Sequence, residues 1–200
     1  MAGIVLTWSG CGPILRGVFD ERMNTVPARL LVAIADPVVF IKISGRANFA
    51  VSVDFKTLMQ ELSARGYREF TLDLTECLIM DSTCLGLLAG FSLKLRQSAG
   101  KSSAIRLLNP NERVADGLET MGITSLFETL SGATPLAAYA EAAPGPPASR
   151  VELTRTSLEA HRTLMAISAA NIPKFKDVAR FLAEDLHKME AKPDHKSNPA

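Results

Sequence analysis

Residues 70–88 read FTLDLTECLIMDSTCLGLL. Phe70 to Leu74 is an apolar run of strand length, and Thr75 to Met80 continues it as strand or loop. Asp81, Ser82 and Thr83 then open an apolar helix that runs to about Ala99 and closes at Gly100. All three opening residues are natural at a helix start, because a short polar side chain can accept a bond from a free backbone N–H. A buried strand therefore leads into a helix N-terminus that carries two hydroxyls. Free N–H groups and the macrodipole favour negative charge there. A phosphate on Ser82 or Thr83 would add about −1.5 to −2 charges without melting the helix. The plainer reading is that the three residues are simply caps.

Outward from this stretch, strands and helices alternate. Leu30 to Ile34 is apolar, Asp36-Pro37 punctuates it, and Val39, Ile41 and Ile43 then share one face of a second strand ending at Gly45-Arg46-Ala47-Asn48. The two strands read as a hairpin. Val51, Phe55, Leu58, Met59 and Leu62 fall at helical spacing, with Gly66 as the stop. Ala104 to Leu108 is a further strand, ended by Asn109-Pro110. Val114, Leu118 and Met121 form the stripe of a short helix ending at Gly122. Leu126 to Leu130 reads as a last strand, and Pro135 to Ala143 as a small helix. The order β-β-α-β-α-β-α-β-α predicts an α/β domain, a mixed and mostly parallel sheet covered by helices.

Pro144-Gly145-Pro146-Pro147-Ala148-Ser149 breaks the pattern and reads as a stiff linker. Two helices follow, Val151 to about Ala170 and Lys174 to Glu190, separated by Asn171-Ile172-Pro173. The second carries a stripe of Phe175, Val178, Ala179, Leu182, Leu186 and Met189. Such a stripe needs a cover, so it is expected to dock on the domain or to form a homodimer seam. The chain thus divides into an N-terminal extension (1–27), a domain (28–143) expected to fold independently, a linker (144–149) and a helical extension with a frayed tail (150–200). Met23 is an alternative start.

The whole chain has 200 residues, 47% hydrophobic and 22% charged, with 22 basic against 21 acidic groups. That balance gives no field to attract nucleic acid. Cys11, Cys77 and Cys84 are odd in number and unpaired in spacing. They form no disulfide framework, and a reducing, cytoplasmic setting is expected. No apolar run reaches the ~18–20 residues of a membrane span, so no membrane insertion is expected. No phosphate-cradling glycine motif and no nucleophile elbow occur. His161, His187 and His195 lie too far from the cysteines in sequence to suggest a metal site. Cys84 and His161 could in principle form a nucleophile pair. A small buried cysteine and a solvated helix histidine are the simpler reading. Neither an enzyme, a cofactor nor a metal is expected.

Leu72-Asp73-Leu74, followed by Met80-Asp81-Ser82-Thr83-Cys84-Leu85-Gly86-Leu87-Leu88, resembles the signature of STAS domains, especially the bacterial anti-sigma factor antagonists. Gly45-Arg46, Asn109 and Met121-Gly122-Ile123 before Leu126-Phe127 are similar to other parts of that family, over roughly residues 28–141. The resemblance implies a small domain that binds a protein partner by surface and is switched by phosphorylation. It places the acceptor on Thr83, with Ser82 as the alternative, in an exposed first helical turn. Asn48, Asp81, Ser82, Thr83 and Cys84 would form the partner surface. The partners implied are an anti-sigma factor kinase of ATPase fold and a phosphatase. Two features depart from the family pattern: Cys84 stands where glycine is common, and simple antagonists lack the helical extension. The rival reading is a STAS subunit of a lipid-transport or stressosome-like assembly, where the same loop only docks.

Overall fold

The computed structural model describes residues 28–99, 105–133, 139–142 and 147–191. Expectations for residues 1–27, Gly100, Pro135, the first part of the linker and the tail from residue 192 lie outside these. The first strand, β1 (Arg29–Ala35), pairs antiparallel with β2 (Val38–Ala47) around Asp36-Pro37. The alternation of Val39, Ile41 and Ile43 is the reason: all three are buried, while the residues between them are half-buried. The helix α1 (Phe49–Ala64) follows, capped by the Asn48 side chain and buried through Phe55, Met59 and Leu62. It ends at Gly66, whose φ of +98° is the left-handed conformation that glycine adopts without strain.

β3 (Glu69–Asp73) lies parallel to β2. Phe70, Leu72 and Leu74 face the interior, and Thr71 and Asp73 between them are buried too, as a strand covered on both faces requires. β4 (Cys77–Met80) is followed by α2 (Ser82–Ala99), β5 (Ile105–Leu108), α3 (Glu112–Thr120) and β6 (Phe127–Leu130). The sheet order is β6-β5-β3-β2-β1, with β3, β5 and β6 parallel to their neighbours.

Three expectations change. The hairpin pairing ends at Ser44 as expected, but the strand does not: Gly45, Arg46 and Ala47 continue β2, and this outer part pairs in parallel with β4 through a register shift at Gly45. Gly45 makes that step with φ of +78°. In place of a helix over the whole of 135–143, Ala140–Glu141 form a short strand, β7, on the free edge of β1. Asn171-Ile172-Pro173 is not a full break: a single 3-10 turn, Ala169–Asn171, joins α4 (Arg150–Ile167) to α5 (Ile172–Glu190), with Pro173 in the first turn of α5, where its missing N–H is harmless.

The extension packs on the domain. Ser149 and Glu152 form a capping box that starts α4, and α4 then crosses α1 and α2. Ala160 and Leu164 of α4 join the same buried apolar cluster as the sheet. A Cβ on Gly86 of α2 would sit 2.5 Å from the Ala160 carbonyl oxygen, so the helices meet at a point only glycine permits. α5 lies on α4, with Ala179 buried between them. Much of its stripe is therefore spent within the chain, and Val178 and Phe181 are left exposed.

Leu72 stands between Ile41 and Leu107 in the middle of the sheet. Leu72→Ala is expected to lower the unfolding free energy by ~2–5 kcal/mol through the cavity it leaves. Denaturant titration checks this, and a loss below ~1 kcal/mol would contradict the central placement of β3.

Candidate functional site

The pairing of β4 with the outer end of β2 brings the starts of α1 and α2 side by side. Asp81 sits at this junction. Its amide donates to the Ala47 carbonyl at 2.9 Å. Its Oδ1 accepts the Cys84 N–H at 2.9 Å, as a helix cap does, and its Oδ2 accepts the Phe49 N–H at 2.7 Å, the first residue of α1. One carboxylate thus serves two helix N-termini, where negative charge is favoured. Across the junction, Asn48 Oδ1 accepts the Ala50 N–H at 3.1 Å, and the Asn48 carbonyl accepts the Cys84 thiol at 3.4 Å.

All five residues singled out from the sequence meet here, but not all as surface. Cys84 is buried, and its thiol pKa is raised well above the usual range by burial and by the neighbouring Asp81. Its side chain lies off the surface in this conformation, and the raised pKa disfavours the reactive thiolate. Cys77, also buried, has its thiol pushed up to about 11 by desolvation. Asn48 and Asp81 are committed to the helix starts.

The two hydroxyls are covered. Ser82 is half-buried, and its Oγ shares a 2.9 Å hydrogen bond with His161 Nε2. Thr83 is only 3% exposed, and its Oγ1 shares a 3.1 Å bond with Ser157 Oγ. Both partners belong to α4. The expected exposure of Thr83 is thus corrected: the extension occupies the space in front of the first turn of α2. His161 is not a solvated helix histidine. It is 6% exposed, with its ring 4.8 Å from that of Phe175 of α5. Burial holds its pKa below the ordinary value, against the opposing pull of the Ser157 carbonyl and of Asp81. Nδ1 is buried without a hydrogen bond; the Ser157 carbonyl is near enough to favour the charged ring but not in bonding geometry. His161 faces Ser82 rather than Cys84. The Ser82–His161 pair lacks the third group that orients the base in nucleophilic triads.

Ser157 and the Gly86–Ala160 contact escaped the sequence reading, as did the contacts of His161 with Ser82 and Phe175, and Phe49, which is 55% exposed beside Asp81. One signal was available. Glycine inside a helix loses about 1 kcal/mol against alanine, so Gly86 marks a close approach.

The STAS domain family model matches residues 29–134. The chain belongs to the STAS domain family. Solved structures to which this chain is similar include the protein TM1081 of Thermotoga maritima, 21% identical, covering 56% of this chain and 91% of that one at a TM-score of 0.45. SpoIIAA of Bacillus in its unphosphorylated form is 19% identical over 52% of this chain and 88% of its own, also at 0.45. An anti-sigma factor antagonist of Mycobacterium paratuberculosis is 16% identical over 52% and 86%, again at 0.45. No curated protein matches. α4, which covers Ser82 and Thr83, lies beyond the region of the STAS match. Among the described residues no helix is long and apolar enough to cross a membrane.

A buried neutral His161 gives folding a pH dependence. Its folded pKa lies below the 6.5 of the free side chain, so the unfolded chain binds more protons as pH falls. Stability is held above about pH 6.5 and is lost as pH falls through that value toward the folded pKa. Glu159 titrates lower: burial raises its pKa, but Lys56 and Lys94 outweigh burial and hold it below the usual carboxylate value. Urea unfolding at about pH 7.5 and about pH 5.5 should show wild type losing more stability than His161→Gln. Equal losses would contradict the assignment of His161 as buried and neutral.

Proposed function

We propose that this STAS protein is a phosphorylation-gated regulator of the anti-sigma factor antagonist type, with the first turn of α2 as its switch. In this reading the unmodified surface around Ser82 and Thr83 binds an anti-sigma factor that is also a kinase. The kinase transfers the γ-phosphoryl group of ATP to Thr83 Oγ1, which loses its proton, and ADP departs. A phosphatase hydrolyses the ester to reset the surface. The chain itself catalyses nothing, holds no cofactor and works in the cytoplasm.

The observation that carries this reading is the Asp81 junction. It holds two adjacent hydroxyls at a helix N-terminus by bonds that use neither hydroxyl. A phosphate there meets the free N–H end of α2, which accommodates it, and Asp81, whose like charge opposes it. The domain should therefore keep its fold, while a partner surface matched to a neutral hydroxyl should reject the ester. The burial of Thr83 favours a second reading, a permanently capped loop in a STAS subunit of a lipid-transport or stressosome-like assembly without a switch.

Incubation of the full chain with ATP and a candidate kinase, followed by site mapping and pull-down, separates the two. Phosphate is expected on Thr83, and Ser82→Ala should remain phosphorylatable. Thr83→Glu should bind the partner ~100-fold more weakly, because a buried unpaired charge costs several kcal/mol. Thr83→Ala should bind and resist switching. Phosphate on Ser82, or equal binding by Thr83→Glu and wild type, would overturn the assignment.

A further inference from the structure

We propose that α4 is a displaceable ligand of the chain's own switch face: it occupies the first turns of α2 in a closed state, and it leaves that face whenever Thr83 carries a phosphate or a partner takes its place. The consequence for signalling rests on the functional reading above. The closed and open states themselves do not.

The closed state is built from specific contacts. Gly86 admits the Ala160 backbone, and Thr163 packs beside Gly90. Ser157 and His161 satisfy the two switch hydroxyls. Lys56 of α1 pairs with Glu159. At the far end, buried Asn171 donates to the Met121 carbonyl at 2.9 Å and to the Leu164 carbonyl at 3.0 Å, fastening the elbow between α4 and α5 to the end of α3.

Leu158, Ala160 and Leu164 hold α4 by apolar burial, and its hold is weakest over the switch hydroxyls. Over the switch hydroxyls its bonds are side-chain pairs of neutral groups, each of modest net worth. Burying His161 there leaves Nδ1 without a hydrogen bond, an unfavourable feature that opening relieves. α4 contributes no strand to the sheet, so its departure breaks no ladder.

Closure and phosphate exclude each other on steric and electrostatic grounds. The Thr83 oxygen is 3.1 Å from Ser157, and that space holds no phosphate group. About −1.5 to −2 charges would also have to be buried against a neutral imidazole and a neutral hydroxyl. A partner that needs the neutral Thr83 surface competes with α4 for it. Its apparent affinity is then reduced by the fraction of molecules that are open. Three forms follow: closed by α4, bound to partner, and open when phosphorylated.

The test is hydrogen exchange by mass spectrometry on the full chain, with no kinase present. Amides of α4 and α5 should exchange together, at least about tenfold faster than those of β2, β3 and β5. Gly86→Ala adds a methyl that α4 cannot accept but that suits an α2 free of it. It should speed α4–α5 exchange by a further factor of about ten while the sheet keeps its protection. Thr83→Glu should act in the same direction. Asn171→Ala, which leaves α2 untouched, provides the same reading should Gly86→Ala fold poorly. Equal exchange of α4–α5 and the sheet in every variant, or loss of sheet protection together with that of α4 in Asn171→Ala, would show α4 to be an integral core helix and overturn the proposal. Opening as expected with no phosphate ever found on Thr83 would leave the closed and open states standing and remove the functional reading instead.

Discussion

One carboxylate organises the functional end of this molecule. Asp81 accepts a backbone N–H from α2 and another from the first residue of α1, so a single side chain fixes two helix starts in relation to each other. Hydrogen bonds to a charged group contribute about 1.5–3 kcal/mol each, and without them two orphan donors would remain at helix ends. The chain reaches Asp81 through β4, whose pairing with the outer end of β2 depends on the left-handed step at Gly45. Ser82 and Thr83 owe their position to this joint rather than to bonds of their own. Their hydroxyls are left available for whatever lies opposite.

What lies opposite is α4. Its contact with α2 combines a close backbone approach at Gly86 with paired hydroxyls and an imidazole, a mixture unlike the apolar packing under the sheet. Ala160 and Leu164 join the main apolar cluster, while Ser157 and His161 on the same turns meet Thr83 and Ser82. Apolar and polar contacts therefore alternate along the same stretch of α4, and the polar ones face the hydroxyls. In the proposed function, phosphorylation and helix docking would compete for the Thr83 oxygen, and the extension would then bear on the switch.

Local signals made much of this legible in the sequence. Alternation of Val39, Ile41 and Ile43 marked β2, the unbroken run from Phe70 to Leu74 marked a doubly covered strand, and Asp81-Ser82-Thr83 marked the start of α2. Each is a period or a cap that neighbours in sequence impose. The elements left open or missed depend on distant partners. β4, legible only as strand or loop, is four residues long, and it is a strand because the end of β2 is there to pair with it. β7 has two residues and exists only on the edge of β1. The contacts of Ser82 with His161 and of Thr83 with Ser157 join positions 79 and 74 residues apart. Periodicity tells which face of a helix is apolar, not which neighbour covers it. Hence His161 looked solvated and Thr83 looked exposed.

The claim that the switch hydroxyls are sealed by the chain's own helix can be tested most directly through a thiol placed at the site. Thr83→Cys in the full chain should react with a soluble maleimide at least ~100-fold more slowly than the urea-unfolded chain, with the adduct located by peptide mass spectrometry. Adding Gly86→Ala should restore most of that rate. Labelling at the rate of the unfolded chain without the second substitution would mean that the first turn of α2 stands open and that α4 does not cover it.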